Sequence, residues 1–183
     1  VHDASLLVHD RRDNRTPTAQ AAAPGLAHGS SLPSLPSLCF VTWNCRGITL
    51  VKHSDPSKFQ EKLKYLRELM DKADIISLQE VHGTKEDMAE TFKQCPGWIF
   101  LCSPCSLPGA GGVAILVHRR LVQQAHGLLH RVLLPGRSLQ VLLHLPAGSL
   151  NLLCMHIEPA AHRDQQCDLL RRTLATSNPD IHT

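Results

Sequence analysis

Apolar residues along the chain fall into short continuous runs and into helical spacing, which predicts alternating strands and helices. Leu38–Trp43 and Asp74–Leu78 are short apolar runs of the kind expected for buried strands. Between them, Pro56 follows a polar Ser-Asp pair that suits the start of a helix. The helix predicted over about 56–72 has apolar residues at helical spacing, namely Phe59, Leu63, Leu66 and Met70. This part of the chain is predicted to form a β-α-β unit, with the Lys and Glu residues of the helix on its outer face.

Beyond Pro96 the pattern changes to strands separated by turn residues. A short helix is predicted just before this change, after Thr84, because Met88 and Phe92 lie four residues apart. The predicted strands are Trp98–Cys102, Gly112–His118, Gly127–Leu134, Leu139–Leu145 and Ser149–Ile157. A last helix, over about 160–175, is predicted to carry on one side Cys167, Leu170 and Leu174. The expected plan is an α/β domain in which a β-α-β unit precedes a run of antiparallel strands.

The first 37 residues differ from the rest because they hold no sustained hydrophobic period. They are rich in Ala, Ser, Pro, Arg and Asp, and Ser31–Ser37 carries Pro at every third position, which favours extended chain. We therefore predict a disordered leader over 1–37 and an ordered domain over 38–183.

Composition narrows the class of protein. Of the 183 residues, 43% are hydrophobic and 19% are charged, as expected of one globular domain, and the net charge of +3 permits a polyanionic partner without requiring one. No apolar stretch approaches the length of a membrane span.

The chain has seven cysteines without regular spacing, and three of them lie in apolar runs (Cys39, Cys102 and Cys154). This favours buried free thiols and a reducing compartment, and the isolated C-x-x-C pair that ends at Cys105 lacks the second pair of a zinc site.

Two polar residues stand at the ends of the first two predicted strands. Asn44 follows the first strand and Glu80 follows the second. Because strands joined by a crossover helix are normally parallel, both residues should emerge at the carboxyl edge of the sheet, where open α/β sheets bind ligands. An amide oxygen and a carboxylate form a hard-oxygen pair suited to Mg²⁺ or Mn²⁺, and poor for zinc. Taken singly, a solvated Glu and a turn-forming Asn explain the same positions.

Five short motifs resemble those of the endonuclease/exonuclease/phosphatase family. Thr42–Ile48 is similar to its W-N-x-x-G strand end, and Ile76–Val81 is similar to its L-Q-E strand end. Gly111–Leu116, Gly136-Arg137 and Leu152–Pro159 resemble the segments that follow in the family, in the same order. The resemblance implies a deoxyribonuclease-like four-layer fold, in which a sandwich of two sheets is flanked by helices.

The same resemblance implies roles for particular residues. Glu80 would be the principal ligand of a Mg²⁺ or Mn²⁺ ion, and Asn44 would bind the ion or orient a phosphate oxygen. His156 would hydrogen-bond the phosphate or help the leaving oxygen depart, so the implied catalytic residues are His156, Glu80 and Asn44. Arg46 stands where some abasic-site nucleases carry an acidic residue and pancreatic-type deoxyribonucleases carry Arg, which makes it a candidate for binding substrate phosphate.

Two further motifs of the family are missing. Its general base lies in a G-D-x-N segment after the His strand, and an S-D-H segment closes the domain. Gly148–Asn151 has Ser at the acidic position and precedes His156, while Pro179–His182 comes too early, so both are interpreted as coincidences. The C-terminal half of the sandwich is therefore expected to be absent. We interpret the chain as the front part of a longer protein or a truncated gene product, inactive by itself.

Three functions stay open. The leading one is a divalent-metal-dependent phosphodiesterase that acts as an endonuclease on DNA in the full-length protein, and W-N-C-R-G-I and L-Q-E-V-H-G are most like the endonuclease domains of non-LTR retroelements. The second is an inositol or lipid phosphatase of the same family, and the third is a non-catalytic remnant. An intracellular location is expected, nuclear for a retroelement or repair nuclease, while substrate preference and oligomeric state stay open.

Overall fold

The structure is a computed structural model that describes residues 37–49, 55–105, 110–157 and 163–176. Within these residues the strands are β1 (Phe40–Asn44), β2 (Ile75–Gln79), β3 (Trp98–Ser103), β4 (Val113–His118), β5 (Gly127–Leu134), β6 (Ser138–Leu145) and β7 (Gly148–Met155). The helices are α1 (Pro56–Met70), α2 (Lys85–Phe92), α3 (Arg119–Gln124) and α4 (Arg163–Thr176).

The strands form two sheets. The first has the order β1-β2-β4-β3, in which β1 and β2 are parallel and the other pairs are antiparallel. The second is the antiparallel sheet β5-β6-β7. The predicted β-α-β unit is therefore confirmed, and α1 makes its crossover. Asp55 caps α1 by accepting a hydrogen bond from the Ser57 backbone N–H at 2.9 Å, just before the proline at the first turn.

Two apolar clusters place the sheets and helices in layers. One cluster lies between the two sheets, where Ile115 and Val117 of β4 meet Leu139 and Val141 of β6. The other lies on the opposite face of the first sheet and packs against α1 and α2; its members include Leu66, Met88, Ile76 and Leu116. Helix α4 contacts the outer face of the second sheet, since Thr173 lies buried against Ser138. The order helix, sheet, sheet, helix confirms the predicted four-layer sandwich.

Several details differ from the sequence-based predictions. Strand β1 runs two residues later than predicted at its start, so Cys39 lies exposed before an edge strand rather than buried. Cys102 is half-buried, whereas Cys154 is buried as predicted. Leu174 was wrongly assigned to the packed side of the last helix: it is 61% exposed, and the residue that faces the sheet is Thr173. Helix α3 was not predicted, because its six residues are too few to show a period.

Other predictions fall on residues outside the described ranges. The leader over 1–37 lies there except for its last residue, as do the first residues of the last predicted helix and the Pro179–His182 segment. In the described part of the chain, no helix combines the length and apolarity needed to cross a bilayer.

Candidate active site

Asn44 and Glu80 meet at the carboxyl edge of the first sheet. In the parallel β1-β2 pair, Asn44 is in register with Gln79, and the pairing continues through the Cys45 N–H, which donates to the Gln79 carbonyl at 3.0 Å. Asn44 Nδ2 donates a hydrogen bond to Glu80 Oε1 at 2.8 Å. The structure thus brings together the two side chains that the strand order had placed at one edge.

A second hydrogen bond fixes the orientation of the Asn44 amide. Its Oδ1 accepts from the Arg46 backbone N–H at 3.2 Å, which leaves the amide nitrogen facing the Glu80 carboxylate. If the Asn44 amide were flipped, its oxygen would face the Glu80 carboxylate and its NH₂ group would face the Arg46 N–H. The two hydrogen bonds therefore determine which amide atom is the nitrogen. In this arrangement Asn44 orients Glu80, and ligation of a metal ion by the Asn44 oxygen stays a prediction.

Two imidazoles flank the same carboxylate. His156 Nε2 lies 4.0 Å from Glu80 Oε1, and His82 Nε2 lies 3.9 Å from Glu80 Oε2. These distances are longer than hydrogen bonds. The His156 side chain is 9% exposed and directly follows β7, where its backbone N–H donates to the Arg137 carbonyl at 2.8 Å. The Glu80 side chain, at 23% exposed, stays open to solvent and to an incoming anion or cation.

The backbone is unusual at this edge. Three non-glycine residues have positive φ in the described ranges, and all three are at the site: Arg46 at 46°, Glu80 at 51° and His82 at 59°. Such conformations cost on the order of 1–3 kcal/mol each and persist where surrounding contacts enforce them. Strain concentrated around one carboxylate is typical of functional sites. Gly47 allows the loop to pass close to His82, because a Cβ there would lie 2.9 Å from His82 Nδ1.

Gln79 ties together the strands that carry the site. Its Nε2 lies within hydrogen-bond distance of Thr42 Oγ1 on β1, at 3.0 Å, and of Ser77 Oγ on β2, at 3.3 Å. It also lies 3.7 Å from the sulfur of Cys154 on β7. These contacts hold β1, β2 and β7 together beneath the Asn44–Glu80 pair.

Sequence reasoning missed two residues beside Glu80. His82 carried a signal, since it stands two positions after Glu80 in the same motif. Lys62 was assigned with the other lysines to the outer face of α1, and this was wrong. Its ammonium donates to the carbonyls of Cys45, Arg46 and Gly47 at 2.8, 2.8 and 2.6 Å. The available signal was its position three residues after Phe59 and four before Leu66, which puts a charge on the apolar face.

Burial affects the titration of two groups in this loop. Burial raises the pKa of the Cys45 thiol from 9.0 to about 12, against a smaller opposite influence from the Lys62 ammonium. Desolvation lowers the pKa of Lys62, while the nearby Glu80 carboxylate partly offsets that shift. Cys45 is therefore a protonated, buried thiol that donates to the Gln79 carbonyl at 3.1 Å, and it is no candidate nucleophile.

The donor set fits a hard divalent cation better than zinc. No group of three or more His, Cys, Asp or Glu side chains able to hold a metal occurs among the described residues. Zinc sites in proteins use at least three such ligands, whereas Mg²⁺ keeps several waters and is held by one or two carboxylates with substrate phosphates. Glu80, oriented by Asn44, matches the second pattern. Arg46 is exposed directly beside this pair.

The chain matches one protein family in sequence and several solved structures in fold. The sequence model described as "Endonuclease/Exonuclease/phosphatase family" matches residues 41–181. The crystal structure of AP endonuclease LMAP from Leishmania major superimposes with a TM-score of 0.57 at 19% identity, covering 76% of this chain and 46% of that one. No curated protein matches the chain.

Two structures of D. rerio TDP2 have the same fold. One is a form humanized by 14 mutations, with a TM-score of 0.55 at 17% identity over 79% of this chain and 57% of that one. The other is complexed with a single strand DNA product, with a TM-score of 0.55 at 16% identity over 79% and 56%. The chain thus spans about half of the length of these structures.

Proposed function

The chain belongs to the endonuclease/exonuclease/phosphatase family, and we propose that it is the metal-binding front part of a divalent-metal-dependent phosphodiesterase that cleaves DNA. The observation that carries the proposal is the 2.8 Å contact between Asn44 and Glu80, with His156 at 4.0 Å from the same carboxylate. Three strand ends from both sheets converge there, which is where a two-sheet enzyme of this type would bind a scissile phosphate.

The residues present suit a phosphodiester. Glu80 would hold Mg²⁺ or Mn²⁺, with Asn44 orienting the carboxylate, and the bound cation would supply neutralisation of the phosphate's charge. His156 would donate a hydrogen bond to a non-bridging or leaving oxygen, and Arg46 would pair with a flanking phosphate through its guanidinium. One preorganised donor of this kind is typically worth roughly 3–4 kcal/mol of transition-state stabilisation.

The step that these residues do not supply is removal of a proton from the attacking water. The side chains that lie around the Glu80 carboxylate in the described site are Asn44, His82 and His156. The Gly148–Asn151 segment begins β7, at the end opposite His156, and a seven-residue span of strand from Ser149 measures about 23 Å. It is therefore too distant to provide a base. We propose that the base comes from outside the described residues, in a longer protein.

The first test is nuclease activity of the purified 1–183 chain on supercoiled plasmid DNA with Mg²⁺. The expected result is negligible nicking, equal to that of the Glu80→Ala variant, because the base is missing. Robust Mg²⁺-dependent nicking that is lost in Glu80→Ala would contradict the proposed inactivity, while establishing the metal-dependent chemistry directly. Nicking retained in Glu80→Ala would indicate a contaminating nuclease.

DNA is the substrate class we favour. AP endonuclease LMAP and D. rerio TDP2 with its single strand DNA product share the fold, and the net charge of +3 is compatible with a polyanion. In fluorescence anisotropy with a labelled single-stranded oligonucleotide and Mn²⁺, Arg46→Ala should weaken binding, whereas Arg171→Ala on α4 should not. Displacement of the oligonucleotide by an inositol polyphosphate at a much lower concentration than by unlabelled DNA would support the phosphatase alternative instead.

The reading frame beyond Thr183 separates the remaining alternatives. G-D-x-N and S-D-H motifs downstream would support an enzyme, and reverse-transcriptase motifs would support a retroelement. A stop codon would support a non-catalytic remnant. An intracellular location is part of the proposal, in line with the seven free thiols of the structure.

A further inference from the structure

The loop that follows β1 is built around a cluster of carbonyl oxygens. The carbonyls of Cys45, Arg46 and Gly47 converge on one point, and the Lys62 ammonium fills it with contacts of 2.8, 2.8 and 2.6 Å. An ammonium group has three donors, which matches the three acceptors. Without a cation at that point, the three carbonyl oxygens would repel one another, and two of the three contacts are part-buried.

The conformation of this loop needs such support. Arg46 has φ at 46° and Gly47 has φ at 82°, so the chain takes two successive left-handed residues, the first of which carries a side chain. Lys62 comes from α1, whose Phe59 and Leu66 are buried in the core. A rigid helix therefore holds the charged group that keeps the loop in place.

The same loop orients the Asn44 and Glu80 side chains of the site. The Arg46 N–H donates to Asn44 Oδ1 at 3.2 Å and thereby turns the Asn44 amide toward Glu80. The Gly47 N–H donates to the Glu80 carbonyl at 2.6 Å, which ties the loop to the residue that carries the carboxylate. Any movement of the loop would be transmitted to both members of the Asn44–Glu80 pair.

We infer that Lys62 is a positioning residue: its ammonium locks the Cys45–Gly47 loop in the shape that directs Asn44 onto Glu80. The locking of the loop stands by itself, whereas its effect on cation binding rests on the proposed function. Lys62 takes no part in the chemistry, since its donors are used by backbone carbonyls.

Cys45 reports on the loop. Its side chain is 2% exposed and its sulfur donates to the Gln79 carbonyl, so an alkylating reagent reaches it only when the loop opens. Cys95 is also buried but lies after α2, in another segment of the chain, and serves as the internal reference for labelling. The Lys62→Met variant removes the ammonium and keeps the length of the stem. Lys64→Met removes the same charge from an exposed position of α1 and is the matched control.

The experiment is pulsed alkylation of the 1–183 chain with N-ethylmaleimide, with peptides quantified by mass spectrometry. In Lys62→Met, labelling of Cys45 relative to Cys95 should rise by about tenfold or more, the scale of a lost charged hydrogen bond. Lys64→Met should match the wild type, and Lys62→Arg, which keeps charge and donors, should lie closer to wild type than Lys62→Met. An unchanged ratio, or equal increases at both cysteines, would overturn the locking role.

Mn²⁺ affinity measured by electron paramagnetic resonance on the same variants tests the positioning role. Lys62→Met should weaken binding by roughly tenfold, in the range found when groups that orient a ligand are removed, while Lys64→Met should leave it unchanged. A loosened loop with unaltered Mn²⁺ affinity would refute positioning. If the wild type itself binds no Mn²⁺, the proposed function fails, and the alkylation result still decides whether Lys62 locks the loop.

Discussion

A single amide explains how Glu80 is presented at the edge of the sheet. Asn44 accepts from the Arg46 backbone and donates to the carboxylate, so its two ends are both specified. The carboxylate keeps one face open to solvent, with His82 and His156 close enough to meet a bound phosphate. Because the backbone of Glu80 has a positive φ, its side chain does not follow the pleat of β2 and points toward Asn44.

The buried Cys45 thiol predicts a decrease in stability at alkaline pH. Unfolded, this thiol would ionise near its ordinary pKa of 9.0, whereas in the fold its pKa is about 12. Between these values the folded state binds more protons, so the free energy of unfolding falls as pH rises. From pH 8 to pH 10 the wild type should lose about 1.4 kcal/mol more than Cys45→Ala in urea unfolding.

The control for this measurement is Cys39→Ala, which removes an exposed thiol. It should show the same alkaline slope as the wild type. If Cys45→Ala and the wild type lose stability in parallel, the thiol is accessible to solvent in the folded protein and the loop is looser than described.

At this scale the sequence predicted part of the site. The meeting of Asn44 and Glu80 could be predicted because the ends of adjacent parallel strands are neighbours whatever the details of packing. Lys62 could not be placed as easily, since its contacts are to backbone carbonyls of a loop whose left-handed turn leaves no mark in residue type except Gly47. The orientation of the Asn44 amide depends on that same turn.

Among the elements, the loops that contain Gly112 and Gly136 connect the strand ends that carry the site. The Val81 N–H donates to the Gly112 carbonyl at 3.1 Å, and the Gly112 N–H donates to the Gly136 carbonyl at 3.0 Å. The Arg137 carbonyl in turn accepts from the His156 N–H. This chain of backbone hydrogen bonds links the ends of both sheets, so the positions of Glu80 and His156 are set by segments that have no chemical role.

Gly136 should be sensitive to substitution because a Cβ there would lie 2.6 Å from the Cys105 Cα, a backbone atom. We predict that Gly136→Ala lowers the free energy of unfolding by about 2–4 kcal/mol. Gly97→Ala is the matched control, since Gly97 also has positive φ but has no atom within 4 Å of an added Cβ. It should cost only the backbone strain of a left-handed alanine, about 1–2 kcal/mol. Equal losses in urea denaturation would show that the turn at Gly136 yields easily.

Element boundaries show what the sequence pattern could and could not provide. Strand β5 was predicted with the observed bounds, because turn residues delimit it on both sides. Helix α4 was predicted with an inward face that is correct only in part, since Cys167 and Leu170 are half-buried but Leu174 is exposed. Its buried residue is Thr173, whose hydroxyl lies 3.5 Å from the Ser138 hydroxyl. A polar contact between layers carries no hydrophobic period, and hence the apolar pattern placed Leu174 on the packed side and missed Thr173.

On the scale of the whole molecule, the site lies beside two edge strands. In the described part of the chain, β1 is an edge strand of the first sheet and β7 is an edge strand of the second. Strand β1 pairs with β2, and β7 contacts β2 across the interface between the sheets. Phe40 on β1 is 48% exposed. Unpaired edges of this kind favour association with further strands. Segments added at these edges would end next to Asn44 and His156, where the proposed function requires a general base.

Open edges predict self-association at high concentration. Phe40→Lys places a charge on the β1 edge and should raise the concentration at which light scattering begins by at least about threefold. Leu174→Lys, at a 61% exposed position on helix α4, adds the same charge away from the edge and should have a smaller effect. If the two variants behave alike, association depends on net charge and not on the β1 edge.

The central claim about function is that Glu80 holds a divalent cation at the meeting point of the strand ends. Its most direct test is a Mn²⁺ titration of the 1–183 chain followed by electron paramagnetic resonance, with Glu80→Gln as the test variant and Glu86→Gln, on the exposed surface of α2, as the control. The account predicts one saturable site in the wild type and in Glu86→Gln, weakened by at least about tenfold in Glu80→Gln. Equal Mn²⁺ binding by the wild type and Glu80→Gln would contradict it.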